Sequence, residues 1–425
     1  MSPSDRDLTV IEICAGAGGQ ALGLEKAGFE HRLAVEIDSN AVKTLKLNRS
    51  HWDVKTGDVA DLATWNPQLP EYKGIDLLAG GVPCPPFSIA GKQLGATDER
   101  DLFAWAVELA GTMQPNALML ENVRGLSAQR FSAYRQHMKD RLEELGYWSD
   151  WRLLHAADFG VPQLRPRFVL VALRDADVPW FHWPTEERTS KTVGSVLRNL
   201  MAENGWPGAD AWAARANDIA PTIVGGSKKH GGADLGPTRA KRAWAELGVD
   251  AMGVWDEAPD ATFPVDESPR LTADMVAVLQ GWDPKEGYEW DFSGRKTSKY
   301  RQIGNAFPPP VARAVGTSIA RALRHEGVKR DRETVASEVL HDPLYRALHS
   351  ADGFATVAQL QKAIGGKFEP GEFERSIAHL ARDFIIEHQE LEDVRSYRLA
   401  GFKGFVGQAD HERHLKFAEM RAKIS

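Results

Sequence analysis

Residues 10–29 read VIEICAGAGGQALGLEKAGF. An apolar run, a glycine-rich turn and an amphipathic stretch follow one another, the order of a strand, a tight loop and a helix. Gly16, Gly18 and Ala21 fit the spacing G-x-G-x-x-A, in which glycines permit positive φ and close approach of a ligand to the backbone. Glu36 ends the next apolar run, 20 residues after Gly16, where a carboxylate can accept hydrogen bonds from ribose hydroxyls. Asp58 in TGDVAD (56–61) can accept from an adenine amino group, although a solvated turn acid is an equally good reading of that residue alone. These residues predict a site for an adenosine-containing ligand. A nicotinamide dinucleotide and S-adenosylmethionine both qualify.

Working outward, LTVIEI (8–13), RLAVEI (32–37), IDLLAG (75–80), ALML (117–120) and FVLVAL (168–173) read as buried strands. Helix-like stretches lie between them near 19–28, 39–48, 101–113 and 132–146. The alternation predicts an α/β fold with a doubly wound, mostly parallel sheet covered on both faces. Ligands of such sheets bind beyond the carboxyl ends of the strands, so the loops after those runs are the ones to inspect. IDLLAGG is the third strand in this reading. From 184 to 268 the chain is rich in Gly, Pro and Trp without a sustained period. SPRLTADMVAVLQGWDP (268–284) reads as a helix with Leu271, Met275, Val278 and Trp282 on one face, and 300–323 as a loop, a proline run and a helix. The last hundred residues read as three short helices, the third carrying Phe373, Ile377, Leu380 and Phe384 on one face, and a hairpin in ELEDVRSYRLA. A winged helix and a plain helical appendage fit equally well. The expected domains are 1–183 plus 300–325, then 184–299, then 330–425.

The 425 residues, 43% hydrophobic and 26% charged, suffice for two or three globular domains. Two cysteines, Cys14 and Cys84, exclude a disulfide framework and a four-thiolate zinc site, and no close Cys/His cluster suggests any other metal. No apolar stretch is long enough to span a membrane, and MSPSDRDLTV has no secretory pattern, so a reducing cytoplasm is expected. The net charge of −7 speaks against nucleic acid as a partner unless a local basic patch exists.

One of the two cysteines sits in GGVPCPPFS (80–88), held between prolines that fix φ. A lone cysteine is usually a small buried hydrophobe. Rigid presentation at the ligand edge of a sheet is instead what a nucleophile needs. Glu121, in ENVRGL after ALML, lies at the same edge, where burial would raise its pKa and make it an acid. Arg165 and Arg167 in FGVPQLRPRF alternate on an extended segment, so both can point one way and hold an anion or a carbonyl oxygen.

In this order the motifs resemble the DNA cytosine-5 methyltransferases over about residues 8–323. ICAGAGG resembles the first glycine motif, with Cys14 where phenylalanine is usual. VEID, GDV, GGVPCPPFSIAG, ENV, QLRPRF, SPRLTADMVAVLQGWDP and RQIGNAFPPPVA resemble the motifs that follow. The resemblance implies a class I methyltransferase fold with S-adenosylmethionine as cofactor, leaving S-adenosylhomocysteine. It also implies a cytosine flipped out of double-stranded DNA. Cys84 would attack C6, Glu121 would meet N3, Arg167 would hold the ring carbonyl, Arg165 would support the site and Asn122 would brace the Pro-Cys loop. Cofactor contacts fall to Cys14, Gly16, Gly18, Gly19, Glu36, Ile37, Asp58, Val59, Pro83, Leu102 and Asn305. The mobile loop SIAGKQLGATDER (88–100) would bring Ser88, Lys92 and Arg100 to DNA. Pro85 stands where the family often has glutamine.

The stretch between the arginine motif and the penultimate motif corresponds to the family's target-recognition region. It holds a basic patch, GGSKKHGGADLGPTRAKRAW (225–244), with Lys228, Lys229, Arg239, Lys241 and Arg242 placed for DNA contact. The layout implies a bacterial enzyme, cytoplasmic and at the nucleoid, monomeric on DNA, and sharing its site with a cognate restriction endonuclease. A tRNA cytosine-5 methyltransferase, a nicotinamide-dependent oxidoreductase and a non-catalytic DNA-binding relative are the alternatives.

Overall fold

The computed structural model describes residues 7–82, 102–225, 233–331, 341–369, 371–392 and 394–408. A seven-stranded sheet is built from β1 (Leu8–Ile13), β2 (Phe29–Glu36), β3 (Val54–Thr56), β4 (Leu77–Gly81), β5 (Ala117–Val123), β6 (Tyr147–His155) and β7 (Pro166–Arg174). Its order is β3-β2-β1-β4-β5-β7-β6. The central strands β1, β4 and β5 are almost wholly buried. Both of their faces are covered, so they read as continuous apolar runs. The helices α1 (Gly19–Lys26), α2 (Ser39–Asn48), α3 (Phe103–Met113) and α4 (Ser132–Glu144) pack on the faces, as the α/β reading expects.

Two strands escaped the sequence reading. β3 and β6 are the two outer strands of the sheet, and each mixes polar with apolar residues, so neither shows an apolar run. The strand leading to the Pro-Cys stretch is therefore the fourth in sequence rather than the third. One strand is reversed: β7 runs antiparallel to both β5 and β6. The start of β7 consequently lies at the edge where β5 ends.

The middle of the chain folds around α5 (Val193–Met201), α6 (Ala209–Arg215), α7 (Thr238–Glu246), α8 (Ala273–Leu279), α9 (Lys296–Asn305) and α10 (Pro309–Leu323). Leu271, Met275, Val278 and Trp282 are all buried, and Thr272 caps α8 through a hydrogen bond from the Met275 N–H. Residues 300–305, expected as loop, are helical: they form the second half of α9. One apolar cluster joins Val193, Trp212, Trp244 and Trp282 to Leu22 of α1 and Ile303 of α9. α10 lies against α1 so closely that a Cβ on Gly23 would stand 2.5 Å from the Ala312 Cβ.

Beyond residue 341 come α11 (Pro343–His349), β8 (Ala355–Thr356), α12 (Val357–Ile364), α13 (Glu372–Asp383), β9 (Phe384–Leu391) and β10 (Val394–Phe402), with sheet order β8-β10-β9. The third helix stops at Asp383, earlier than its apolar spacing suggests, because Phe384, Ile385 and Ile386 enter a strand, which β-branched and aromatic residues favour. This unit docks on α4. Ser132 Oγ donates to Asp342 Oδ2 at 2.7 Å, His137 Nδ1 lies 2.8 Å from the Tyr345 hydroxyl, and the Phe402 ring lies tilted against the His137 ring with centroids 4.4 Å apart. No described helix is long and apolar enough to cross a membrane.

Candidate active site

A cavity of about 410 Å³ opens at the carboxyl edge of β1, β2 and β4. The turn after β1 forms its floor. Gly16 and Gly18 have φ of 55° and 93°, and Cys14 also takes a left-handed φ of 52°. The glycines differ in purpose. A Cβ on Gly16 would meet nothing within 4 Å, so this residue keeps backbone open toward the cavity. A Cβ on Gly18 would fall 2.6 Å from the Trp290 ring, and one on Gly19 would fall 2.3 Å from the Phe307 carbonyl oxygen. Those two are glycines because protein packs onto them.

Glu36 fixes the turn. Its Oε2 accepts from the Gly16 N–H at 2.8 Å and its Oε1 from the Asp38 N–H at 2.7 Å. Burial raises its pKa, and the backbone N–H donors oppose that rise. Cys14, Gly19, Ile37, Asp58, Val59, Leu102 and Asn305 line the same cavity, whereas Gly18 is not among its lining residues. Ile37 is 55% exposed, an apolar side chain at the mouth. Asp58 is buried and accepts from the Ala60 N–H at 3.1 Å.

Glu121 also lines the cavity. It pairs in register with Gly81, the last residue of β4, where a side chain would crowd its carboxylate at 3.4 Å. Arg167 Nε lies 2.7 Å from Glu121 Oε1, and its Nη1 donates to the Pro166 carbonyl, leaving Nη2 without a partner among the described residues. Burial raises the Glu121 pKa against the pull of Arg167 and Arg165. Asn122 Nδ2 donates to the Val82 carbonyl at 3.3 Å, directly before the Pro-Cys stretch.

Arg165 has a different task from its neighbour. It is 1% exposed and donates to the carbonyls of Ile223, Gly304 and Ala306 at 2.7–2.8 Å. Gln163 and Gln280, both fully buried, extend this network: Gln163 Nε2 donates to Gln280 Oε1, Gln280 Nε2 to Ala306 O, and Ile223 N to Gln163 Oε1. The arginine motif thus ties the segment at Ile223 to the stretch Gly304–Ala306. Gly225 touches Asn305 so closely that a Cβ there would stand 2.5 Å from its Oδ1.

Several predicted residues lie outside the described residues: Pro83, Cys84, Ser88, Lys92, Arg100, Lys228 and Lys229. Of the remaining basic patch, Arg239 and Arg242 are exposed on α7, while Lys241 is engaged with Asp234 at 3.0 Å. Sequence reasoning missed Glu12, Ser298, Arg301 and Gln302, which line the cavity, and Trp290, whose Nε1 donates to the Ala17 carbonyl at 2.8 Å. Arg301 and Gln302 sat within the quoted RQIGN stretch; nothing local marked Trp290.

The family described as C-5 cytosine-specific DNA methylase matches residues 8–321. The chain belongs to this family. The type II methyltransferase M.NaeI of Lentzea aerocolonigenes is 62% identical over 99% of this chain and all of its own length. M.NgoMIV of Neisseria gonorrhoeae is 50% identical over 75% of this chain and 99% of its own. The fold is similar to that of a solved chain described as a prophage-encoded DNA modification methyltransferase from E. coli. That pair has a TM-score of 0.50 and 20% identity, over 74% of this chain and 99% of that one. This C-5 cytosine methylase is an enzyme that methylates cytosine in DNA, and its family and fold are those of S-adenosylmethionine-dependent methyltransferases. The oxidoreductase and tRNA readings of the sequence give way to it.

Proposed function

We propose that this enzyme methylates C5 of a flipped-out cytosine within a specific duplex sequence, through a covalent adduct between Cys84 and ring carbon C6. The observation that carries this reading is the sharing of one cavity by Glu36, Asp58 and Glu121. A cofactor held by the first two would lie beside the acid that serves the base.

The residues fit S-adenosylmethionine. Both Glu36 oxygens already accept one backbone N–H each and keep lone pairs for a ribose diol. Asp58 and Val59 suit an adenine edge, Ile37 its face, and Gly16, Leu102 and Asn305 complete the wall. When bound, S-adenosylmethionine supplies the methyl group that C5 takes. Cys84 supplies the nucleophile as its thiolate. A protonated Glu121 gives N3 a hydrogen bond or a proton, so the ring can accept the thiolate electrons; the raised pKa favours that form. Arg167 Nη2 suits the cytosine carbonyl, with its Nε holding Glu121 in place. Loss of the C5 proton and expulsion of Cys84 restore the ring. Asn122 braces the strand end that leads into the nucleophile's loop.

Residues 184–299 form the target-recognition unit and contact DNA through Arg239 and Arg242, with Lys228 and Lys229 in the same patch. Ser88, Lys92 and Arg100 contact it from the catalytic loop, and residues 341–408 follow the element order of a winged helix. The enzyme acts as a monomer paired with a restriction endonuclease of the same specificity. The names of M.NaeI and M.NgoMIV, both type II methyltransferases, support that pairing.

The test is transfer of labelled methyl from S-adenosylmethionine to mixed-sequence duplex DNA, with Cys84→Ser alongside. Label in 5-methylcytosine that disappears in the variant is the expected result. Undiminished transfer by Cys84→Ser would overturn the covalent route.

A further inference from the structure

The sulfur of S-adenosylmethionine carries three groups: the adenosyl group, the methyl group and an aminocarboxypropyl chain. The reading above accounts for two of them. Glu36, Ile37, Asp58 and Val59 line the cavity at the ends of β2 and β3, where the adenosine belongs. Gly81 and Glu121 line it at β4 and β5, where the methyl group meets the base. Another part of the wall is formed by the start of α1 and by one face of α9, on which Ser298, Arg301, Gln302 and Asn305 recur at helical spacing. The two helices meet there: a Cβ on Gly19 would stand 3.1 Å from the Cβ of Ala306, the residue after α9. This corner is left for the third group.

The corner holds polar groups that the protein does not satisfy. Gln20, in the first turn of α1, lines the cavity and is 3% exposed, and neither its Oε1 nor its Nε2 has a hydrogen-bond partner among the described residues. An amide buried in this way gives up its water and recovers no bond, a cost that folded chains rarely leave uncompensated. Two other lining residues hold one such atom each, Glu12 Oε1 and Arg301 Nε. Glu12 keeps a partner through its other oxygen, 3.0 Å from His31 Nε2. Of the three, only Gln20 has its whole polar end unsatisfied. Gln302, on the same wall, is engaged with Thr44 and Ser293. α1 also begins without a side-chain cap and without an acid in its first turn, so its positive end is uncompensated.

We propose that the Gln20 side chain binds the amino acid end of the cofactor, its Nε2 donating to the carboxylate and its Oε1 accepting from the ammonium. The inference rests on the S-adenosylmethionine reading above. An amino acid zwitterion offers one accepting and one donating group, the two partners this amide lacks. Arg301 and the start of α1 supply positive charge for the carboxylate. Gln20 is thus a specificity residue: it distinguishes ligands by their amino acid end and is indifferent to their adenosine.

The experiment measures calorimetric binding of two ligands to the full-length enzyme: S-adenosylhomocysteine, which has the amino acid end, and methylthioadenosine, which lacks it. Gln20→Met, close to glutamine in shape, should weaken S-adenosylhomocysteine roughly tenfold and leave methylthioadenosine within about twofold. The melting point of this variant without ligand should not fall, because the thioether leaves no amide unsatisfied. Gln20→Glu should weaken S-adenosylhomocysteine further, since one carboxylate then faces another, and should again spare methylthioadenosine. Equal losses for both ligands, as a purely structural role predicts, would overturn the proposal. So would no loss for either, or full retention of S-adenosylhomocysteine by Gln20→Glu. Failure of the unaltered enzyme to bind either ligand would instead remove the S-adenosylmethionine reading, and this inference with it.

Discussion

Arg167 Nε stands 2.7 Å from Glu121 Oε1 because β7 runs against β5. In that register Val123 faces Arg167 and Glu121 faces Val169, so an arginine at the start of one strand meets a carboxylate near the end of the other. Both side chains are 11% exposed. A pair this enclosed is sensitive to the loss of either partner, since the survivor is a buried uncompensated charge.

Arg167→Ala should therefore destabilise the enzyme by about 3–5 kcal/mol near neutral pH. The deficit should shrink in acid. The folded-state pKa of Glu121 is raised, so the folded form keeps its proton where the unfolded chain has lost it. The stability tied to that proton is present below the ordinary carboxylate range and is lost as pH rises through the raised value. Removing Arg167 raises the value further, so the variant suffers most at high pH. Melting temperatures of both proteins across pH 4–8 check this; a deficit independent of pH would refute it.

The glycine turn should separate packing from binding. Gly19→Ala drives a Cβ to 2.3 Å from the Phe307 carbonyl and should cost about 1–3 kcal/mol or more. Gly16→Ala meets no protein atom within 4 Å and should cost only about 1–2 kcal/mol for its left-handed φ. The expected readout is a lower melting point for Gly19→Ala without ligand. For Gly16→Ala it is a smaller thermal shift on adding S-adenosylmethionine. Matching profiles for the two variants would contradict this division.

Arg165→Lys should not be conservative. A lysine cannot serve the Ile223, Gly304 and Ala306 carbonyls together, because its donors radiate from one atom. Hydrogen exchange should quicken both at Ile223–Gly225 and at Gly304–Phe307, two segments far apart in sequence. Quickening at only one of them would show that the arginine does not link them.

The C-terminal unit should loosen in mild acid. Burial, with His349 and Arg141 nearby, lowers the His137 pKa to about 4, and burial beside Arg135 and Lys139 does the same to His341. A histidine with a depressed folded pKa contributes stability above its unfolded value near 6.5, and that contribution is lost as pH falls from there toward 4. The slope is at most about 1.4 kcal/mol per pH unit for His137, and less for the more exposed His341. His137→Gln/His341→Gln should flatten the fall of melting temperature between pH 6.5 and 5; an unchanged slope would place the acid sensitivity elsewhere.

The sequence by itself determined the central strands, the glycine turn with its Glu36 partner, and the family. Each of these is written in contiguous residues: apolar runs that must be buried on both faces, and a turn whose dihedrals only certain residues adopt. Tertiary structure decided the rest. The reversal of β7 has no local signature, yet it brings Arg167 to Glu121. Spacing made Arg165 and Arg167 equivalent, whereas the fold gives one to Glu121 and the other to three carbonyls. Gly18 and Gly19 read as ligand-facing, and only the approach of Trp290 and Phe307 from the far end of the chain shows that they receive protein. The physical reason is common to all: a hydrogen bond or a steric contact belongs to two groups, and a sequence displays them one at a time.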